Sequence, residues 1–247
     1  MIRIEDYEEL KVRIVNWLKD YYWKYDIKAF VVGVSGGIDS AVVSTLCAET
    51  GFPTYVLTMP LHSKKGNTEL SDVHAKALSK KYSNVRVVNV DLSNTYESLL
   101  FDIDQDFVNN KLANANTKSR LRMVTLYQIA GSVGGIVVGT GNKVEDYGVG
   151  FYTKYGDGGV DIAPIADLYK SEVWELGEYL DVDQRIVDAK PTDGLWDDGR
   201  NDEDQIGATY VELEEAMENK TGIAVNILEE YNKKNRHKME PIPTFKL

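Results

Sequence analysis

Four short apolar runs, each rich in β-branched residues, are the feature of this sequence that most constrains its fold. They lie at residues 29–34, 54–59, 85–92 and 135–140, and segments long enough for helices separate them. Runs that are apolar on both faces are typical of a parallel sheet covered by helices on both sides. We therefore predict an α/β fold with a doubly wound, mostly parallel, Rossmann-like sheet.

The segments around these runs carry helical patterns. Residues 7–23 repeat apolar side chains at three- and four-residue spacings, which is typical of an amphipathic helix. We expect further helices over residues 38–50, 67–82, 94–109, 115–133, 168–180, 203–218 and 221–235. Two long irregular stretches, residues 141–164 and 190–205, are interpreted as either functional or mobile.

The length and composition fit one domain. A chain of 247 residues that is 43% hydrophobic can bury a sizeable core. We predict a single unit over residues 1–247, made of an N-terminal helix at 5–24, a nucleotide-binding core at 28–180, and a C-terminal lid with helices at 190–247.

Charge and cysteine content exclude several classes of function. The chain has 28 Lys and Arg against 39 Asp and Glu, a net charge of -11 that opposes binding of bulk nucleic acid. Local basic clusters, Lys64-Lys65 and 236–238, can still bind a small phosphate ligand. The single cysteine, Cys47, rules out a disulfide within the chain, and we expect a buried thiol rather than a nucleophile.

The hydropathy pattern argues against a membrane protein. No run of 18 or more apolar residues is present, and the charged N-terminal residues do not resemble a signal peptide. We expect a cytoplasmic enzyme that does not contact a membrane.

The segment "SGGIDS", residues 35–40, follows the first apolar run and precedes a predicted helix. Glycines let the backbone approach a ligand closely, and the N–H groups at a helix N-terminus attract phosphate. The hydroxyls of Ser35 and Ser40 would add donors. The lysine of the common phosphate-binding loop is missing, whereas Asp39 is placed to hold Mg²⁺. The alternative interpretation is a tight turn in which Asp39 only favours the helix dipole.

Further segments narrow the interpretation of this loop. It closely resembles the loop of the ATP pyrophosphatases, with their adenine nucleotide alpha hydrolase-like fold, which split ATP into AMP and pyrophosphate while a substrate is adenylated. In chain order follow "SRLRM" (119–123), "GTGNKVE" (139–145), "GFYTKYGDGGVDIAPIADLYKSEVWELGEYL" (150–180), "KPTDGLW" (190–196), "NDEDQIGATY" (201–210) and "HK" (237–238). Together these segments resemble the ammonia-dependent NAD synthetases.

The resemblance implies a ligase that works in two steps. The nicotinic acid carboxylate of deamido-NAD attacks the α-phosphate of ATP, which gives an adenylated intermediate and pyrophosphate. Ammonia then displaces AMP and forms the amide of NAD. The resemblance also implies Mg²⁺ as cofactor and a homodimer.

The resemblance assigns roles to individual residues. Asp39, Lys170 and Asp157 are implied to be catalytic, and Asp39 with Glu145 to bind Mg²⁺. The residues implied to bind ATP are Gly33, Val34, Ser35, Gly36, Gly37, Ile38, Asp39, Ser40, Thr140, Lys170 and Thr192. Those implied to bind deamido-NAD are Arg120, Lys154, Asp157, Asp161, His237 and Lys238.

The resemblance implies specific chemical roles for some of these residues, and each also has an alternative role in the structure alone. Lys154 would steer the nicotinic acid carboxylate, and Asp157 would bind or deprotonate ammonium, which is not nucleophilic while protonated. Alternatively, Arg120 and Lys170 are solvated helix charges, Asp157 is a turn residue beside glycines, and Asp161 only shapes its loop.

Three positions depart from the pattern of much of the family. The segment 145–150 is one residue longer, Gly141 stands where an aspartate is expected, and Met239 stands where a basic residue often follows "HK". These departures bear on the fine contacts of the site rather than on the reaction.

Two features favour free ammonia as the nitrogen donor. We expect no additional amidase domain of the glutamine-using members within these 247 residues, and we expect Cys47 to be far from any glutaminase-like set of residues. The alternative is a separate glutaminase subunit that supplies the ammonia. One alternative is an adenylating enzyme that modifies tRNA or a base, which would carry cysteine pairs or a basic surface. Another is a nucleotide sensor without activity, which would have lost Asp39, Glu145 or Lys170; all three are present.

Overall fold

The computed structural model describes residues 3–62, 65–192 and 201–246, the side chains of residues 65–68 excepted. Within these ranges four parallel strands form one sheet in the order β3-β2-β1-β4. The strands are β1 Phe30–Gly33, β2 Thr54–Thr58, β3 Val85–Asn89 and β4 Ile136–Val137. The predicted doubly wound, mostly parallel sheet is confirmed.

Helices connect and cover the strands. The α-helices of the described residues are α1 Tyr7–Lys24, α2 Ile38–Glu49, α3 Lys65–Lys81, α4 Ser93–Asp102, α5 Lys111–Val133, α6 Lys170–Tyr179, α7 Gln184–Val187, α8 Asp202–Ile206, α9 Tyr210–Asn219 and α10 Val225–Met239. A π-helix, Lys143–Val149, lies between β4 and α6. No helix among the described residues is long and apolar enough to cross a bilayer.

The residues of β1 alternate between the two faces of the sheet, as its apolar run predicts. Phe30 and Val32 belong to a buried cluster with α1, α2 and α6. Val31 belongs to a second cluster, on the other face, to which α5 contributes Met123 and Leu126. Because both faces are buried, β1 is the centre of the core and its end is held rigidly.

The order of the strands places the site. The chain proceeds outward from β1 through β2 to β3, and then returns to the other side of β1 to form β4. Ligands bind in such sheets where the strand order reverses, beyond the carboxyl ends of the strands. Here that point lies between β1 and β4, so the loops after Gly33 and after Val137 meet there.

The C-terminal helices pack away from the sheet. A third buried cluster joins the π-helix, through Val144 and Val149, to α8 and α9, through Ile206, Tyr210 and Leu213. This layer covers one side of the reversal point. The predicted lid falls partly on residues 193–200, which lie outside the described residues, so the lid and the division into parts stay predictions.

The helices predicted over 115–133 and 221–235 are observed at Lys111–Val133 and Val225–Met239, and two others differ more. The helix expected over residues 94–109 ends at Asp102. The one expected over 203–218 is two helices, because Gly207 has a positive φ of 88° and ends α8, after which Thr209 caps α9. Cys47 is buried as expected, and burial raises the pKa of its thiol.

Candidate active site

The loop between β1 and α2 has the backbone of an anion site. Gly36 has a φ of 93°, which favours glycine, and the N-cap residue Gly37 makes no side-chain capping bond to the first turn of α2. The N–H groups of that turn have no acceptor within the helix. They therefore face the space in front of the loop, where a phosphate group fits.

The two serines of the loop bond within it. Their hydroxyl oxygens lie 3.1 Å apart, Ser40 Oγ donates to the Gly37 carbonyl at 2.9 Å, and the Gly37 N–H donates to Ser35 Oγ at 3.2 Å. The sequence predicted them as donors to a ligand. In the structure they fix the shape of the loop, and ligand contact stays a prediction.

Lys170 lies at the start of α6, with its side chain 2% exposed. Its Nζ atom donates to Asp39 Oδ2 at 2.6 Å and to Glu145 Oε1 at 2.9 Å. The structure thus brings together three residues, from three separate segments, that the resemblance implied for metal and ATP. A buried ammonium stands beside the loop that lacks a lysine of its own.

Electrostatics leave this cluster with excess negative charge. Burial alone would lower the pKa of Lys170, but the carboxylates of Asp39 and Glu145 raise it, so the ammonium is charged. Burial raises the pKa of Asp39 against the opposing effect of Lys170. At Glu145 burial also acts upward, yet Lys170 and a hydrogen bond from Tyr210 bring its pKa below the ordinary value. Because two carboxylates share a single ammonium, the cluster carries a net negative charge when both are ionised, which favours the binding of a further cation.

Asn142 links the Asp39 carboxylate to the backbone of Glu145, a role that the sequence analysis missed. Its fully buried side chain caps the π-helix by accepting from the Glu145 N–H at 3.1 Å. Its Nδ2 atom donates to Asp39 Oδ1 at 3.0 Å. The residue lies in the segment "GTGNKVE", so the motif was found, but the contact with Asp39 depends on tertiary structure.

The π-helix Lys143–Val149 covers most of segment 145–150, whose extra residue relative to much of the family stays a prediction. Hydrogen bonds from residue i to i+5 enclose one more residue per turn than those of an α-helix, so an insertion can be absorbed without moving the flanks. Asp146 on this helix explains Gly141. A Cβ atom at position 141 would lie 2.0 Å from Asp146 Oδ2, so that carboxylate occupies the space of a side chain there.

Three side chains of α10 bond the carbonyls at the end of the π-helix. Asn232 donates to the carbonyl of Gly148 at 3.1 Å, Asn235 to that of Val149 at 2.8 Å, and Lys238 to those of Gly150 and Tyr152. We call these three residues the α10 donor row. Met239 beside it packs against Gly150, where an added Cβ would lie 2.6 Å from its Cε. The end of the Met239 side chain therefore occupies the space that a side chain at position 150 would need.

Three of the residues implied for deamido-NAD meet in the structure. Arg120 Nε donates to the Lys154 carbonyl at 3.2 Å, and Lys154 Nζ donates to the His237 carbonyl at 3.1 Å. Arg120 also lines an open groove of about 770 Å³ between α5 and the loop that follows the π-helix. The remaining lining residues are Met123, Val124, Tyr127, Gln128, Tyr155 and Gly159.

The two aspartates of this region are bound within the protein. Asp157 Oδ1 accepts from Ser119 Oγ at 2.7 Å and from the Thr153 N–H at 3.0 Å, so this oxygen is fixed. Asp161 accepts from the Val137 N–H at 2.7 Å and from the Tyr127 hydroxyl at 3.0 Å. Its contacts match the alternative interpretation, in which it shapes its loop. Ser119 is a second polar contact that the sequence analysis missed.

The remaining predictions are less defined by the structure. Thr140 follows β4 at the edge where the site lies. Thr192 is exposed and directly precedes residues 193–200, which are outside the described residues. Lys64 and the side chain of Lys65 likewise lie outside the described part of the chain, so the phosphate contact predicted for this basic pair stays a prediction.

Comparison with known proteins identifies the family. The profile of the NAD synthase family matches residues 10–242. An NH₃-dependent NAD⁺ synthetase from Carboxydothermus hydrogenoformans is 37% identical over 239 residues, 94% of this chain and 95% of that protein.

Solved structures agree with this assignment. The NMN synthetase of Francisella tularensis is 34% identical and superposes with a TM-score of 0.91 over 99% of this chain and 100% of that one. An NH₃-dependent NAD synthetase from Campylobacter jejuni, 23% identical with a TM-score of 0.78 over 98% of this chain and 100% of that chain, has the same fold. The chain therefore belongs to the NAD synthase family.

Proposed function

We propose that this chain catalyses the ATP-dependent amidation of deamido-NAD by free ammonia, with release of AMP and pyrophosphate. The observation that carries the proposal is the meeting of Asp39, Glu145 and Lys170 at the mouth of the "SGGIDS" loop. Membership of the NAD synthase family and the match to NH₃-dependent relatives over 94% of the chain support it.

In the first step a carboxylate oxygen of the nicotinic acid ring bonds to the α-phosphorus of ATP. The bond from that phosphorus to the bridging oxygen breaks, and pyrophosphate leaves with the electron pair. The N–H groups at the start of α2 hold phosphate oxygens, and the Lys170 ammonium neutralises charge that grows on them. A lysine held by two carboxylates is oriented before the substrate arrives.

In the second step the nitrogen of ammonia bonds to the activated carboxyl carbon. The carbon–oxygen bond to AMP breaks, AMP takes the electron pair, and the nitrogen loses one proton. Asp157 is the group that we assign to bind ammonium or accept its proton. Ser119 and Thr153 hold one of its oxygens, which leaves the other for this purpose.

The donor set of Asp39 and Glu145 fits Mg²⁺. One oxygen of each carboxylate faces the same atom, Lys170 Nζ, so the two carboxylates converge on one point. Mg²⁺ is ordinarily held by one or two carboxylates together with substrate phosphates. No group of three or more His, Cys, Asp or Glu side chains in the described part of the chain is arranged for a metal. When bound, the ion supplies charge neutralisation at the phosphates.

The nucleotide substrate is assigned to the region where Arg120, Lys154 and His237 meet. Two cationic side chains there suit the carboxylate and phosphates of a nicotinic acid nucleotide. Asp161 and Lys238 border this region, and their role is to hold the loops that form it.

A second candidate substrate is the mononucleotide, deamido-NMN. It is favoured by the similarity to an NMN synthetase that spans 99% of this chain with a TM-score of 0.91. Amidation of the mononucleotide uses the same carboxylate, the same adenylation and the same ammonia. The two candidates differ in whether the site also binds the AMP half of the dinucleotide.

We also infer that the chain is a homodimer that pairs through the outer face of α5. Val124 is 65% exposed there, and Tyr127 and Leu112 are exposed on the same helix. Apolar side chains exposed together on one helix are typical of an interface.

One assay tests the proposed reaction and decides between the two candidate substrates. The purified chain is incubated with ATP, Mg²⁺ and either deamido-NAD or deamido-NMN, with ammonium and glutamine supplied separately. We expect amide product with ammonium alone and one AMP per amide. The ratio of kcat/KM for the two nucleotides decides between the candidates. ATP cleavage without amide would assign another acceptor, and the absence of ATP cleavage would contradict the proposal.

A further inference from the structure

Tyr210 joins the C-terminal layer to the charged cluster. It is the first residue of α9 and is 1% exposed. Its hydroxyl donates to Glu145 Oε1 at 2.7 Å, the same oxygen that accepts from Lys170. The Lys170 ammonium also lies over the Tyr210 ring, 5.0 Å from its centre. One side chain therefore contacts both an acidic and a basic member of the cluster.

The placement of Tyr210 is set by bonds between α9 and α6. Glu214, one turn after Tyr210, accepts from the Ser171 N–H at 2.9 Å and from Ser171 Oγ at 2.6 Å. Ser171 directly follows Lys170. Trp174, one turn further along α6, meets the Tyr210 ring edge-on at 5.8 Å. Helix α9 is thus fixed on the N-terminus of α6, next to Lys170.

The two partners of Glu145 Oε1 differ in freedom. A lysine ammonium sits on a flexible four-carbon stem and can shift between acceptors. The Tyr210 hydroxyl is carried by a rigid ring that neighbouring side chains enclose. A hydrogen bond to an ionised carboxylate is stronger than one between neutral groups, so it fixes the orientation of the carboxylate more firmly. Tyr210 therefore holds Glu145 wherever the ammonium lies.

We propose that Tyr210 is a positioning residue for the ATP-cleaving step, which fixes the Glu145 carboxylate for Mg²⁺ and steadies Lys170 against its ring. The inference rests on the proposed function, because its main readout is pyrophosphate release. It adds a residue from "NDEDQIGATY" that the sequence analysis quoted without a role.

The test compares Tyr210→Phe with Tyr231→Phe. Tyr231 lies in the same layer, and its hydroxyl donates to the backbone carbonyl of Gln205 at 2.9 Å, away from the charged cluster. Both variants lose one hydroxyl and keep the ring. We expect Tyr210→Phe to raise the Mg²⁺ concentration for half-maximal pyrophosphate release about tenfold, as expected for one hydrogen bond to a charged group. The KM for the nicotinic acid nucleotide and the Mg²⁺ response of Tyr231→Phe should not change.

A second readout does not depend on turnover. The Tm of each protein is measured with and without Mg²⁺ and α,β-methylene ATP, an analogue that is not cleaved at the α-phosphate. We expect the Tm increase to be smaller in Tyr210→Phe than in the wild type and full in Tyr231→Phe. Equal Mg²⁺ responses of the two variants in both measurements would overturn the proposal. A wild-type chain without pyrophosphate release would instead contradict the proposed function, and the Tm comparison would still decide on Tyr210.

Glu214→Gln provides a test of the same proposal in case Tyr210→Phe does not fold. Glu214→Gln keeps the ring and hydroxyl of Tyr210 but weakens the bond that holds α9 on Ser171. If Tyr210→Phe does not fold, Glu214→Gln must raise the Mg²⁺ requirement in the same direction. An unchanged requirement in that variant would overturn the proposal.

Discussion

The three charged side chains at the centre of the site are largely buried. Asp39, Glu145 and Lys170 are brought out of water together, and the Lys170 ammonium stabilises both carboxylates, which repel each other. Burial of a charge is costly unless it is paired and hydrogen-bonded. A buried cluster of this kind adds little to the stability of the fold, and we interpret it as a preformed site for phosphate chemistry.

The first prediction concerns Asp39→Asn. The variant keeps the shape of the side chain and leaves Lys170 paired with Glu145, so we expect the fold to be retained. Loss of the carboxylate removes one group that stabilises the transition state, which costs about 2 to 4 kcal/mol, or roughly two orders of magnitude in rate. Pyrophosphate release at saturating Mg²⁺ measures this.

Asp20→Asn is the matched control for this prediction. Asp20 is an exposed residue of α1. Its substitution should leave pyrophosphate release unchanged. Wild-type turnover in Asp39→Asn would show that Asp39 takes no part in the step.

His74 supplies a prediction about pH. It is buried between α3 and α2, with Nε2 2.9 Å from Ser44 Oγ. Burial lowers its pKa from 6.5 to about 4, against smaller opposing effects of a hydrogen bond with the Ala41 backbone and of Asp183. The unfolded chain thus binds this proton at higher pH than the folded chain does. Stability from this group is complete above pH 6.5 and falls as the pH drops toward 4, by about 3 kcal/mol in all.

Urea denaturation at pH 7 and pH 5 checks this. We expect the wild type to lose free energy of unfolding between these two pH values. His74→Gln can keep a donor near Ser44 and does not titrate, so its loss should be smaller. An equal loss in both proteins would assign the acid sensitivity to other groups.

At the scale of elements, the π-helix is the part that departs most from sequence expectation. It depends on the α10 donor row, whose residues follow it by more than 80 positions. Those donors satisfy carbonyls that a helix end leaves without partners. A buried carbonyl that loses its donor costs the protein about 1 kcal/mol or more.

The donor row yields a prediction that can be tested on one residue. Asn235→Ala removes the bond to the Val149 carbonyl, and we expect about 1 kcal/mol lower stability, with faster hydrogen exchange confined to the amides of residues 149–152. Asn226→Ala, at an exposed position of the same helix, is the control. Exchange that rises equally in both variants would show that the bond does not hold this segment.

Elements were more predictable than contacts. The strands and most helices follow from periodicity, because burial of one or both faces imposes it. Asp39 was a candidate from its place in the loop, whereas Glu145 and Lys170 were found only through resemblance to a family. Asn142 and Tyr210 were quoted in motifs without a role, since their partners come from distant segments. The break at Gly207 was missed because apolar spacing continues through it, whereas a glycine with positive φ ends the helix.

At the scale of the whole molecule, the proposed dimer gives the fourth prediction. Val124→Glu places a charge in the centre of the exposed face of α5, where it would have to be buried on pairing. We expect a shift from dimer to monomer in light scattering after gel filtration. Val12→Glu, on α1 and 46% exposed, should leave the dimer intact.

Either of two results would contradict the dimer prediction. A wild-type chain that is monomeric at micromolar concentration would exclude the homodimer under those conditions. A Val124→Glu protein that stays dimeric would move the interface away from α5.

The contact between Gly141 and Asp146 makes the two positions interdependent in evolution and engineering. A Cβ at 141 would lie 2.0 Å from Asp146 Oδ2, so the Asp146 carboxyl group would have to move to make room for a side chain there. An aspartate grafted at 141 should therefore displace the Asp146 side chain, and should be accommodated more easily when Asp146 is shortened in the same step. Each residue is neutral or deleterious only relative to the other, so single-site substitution tables would misjudge both.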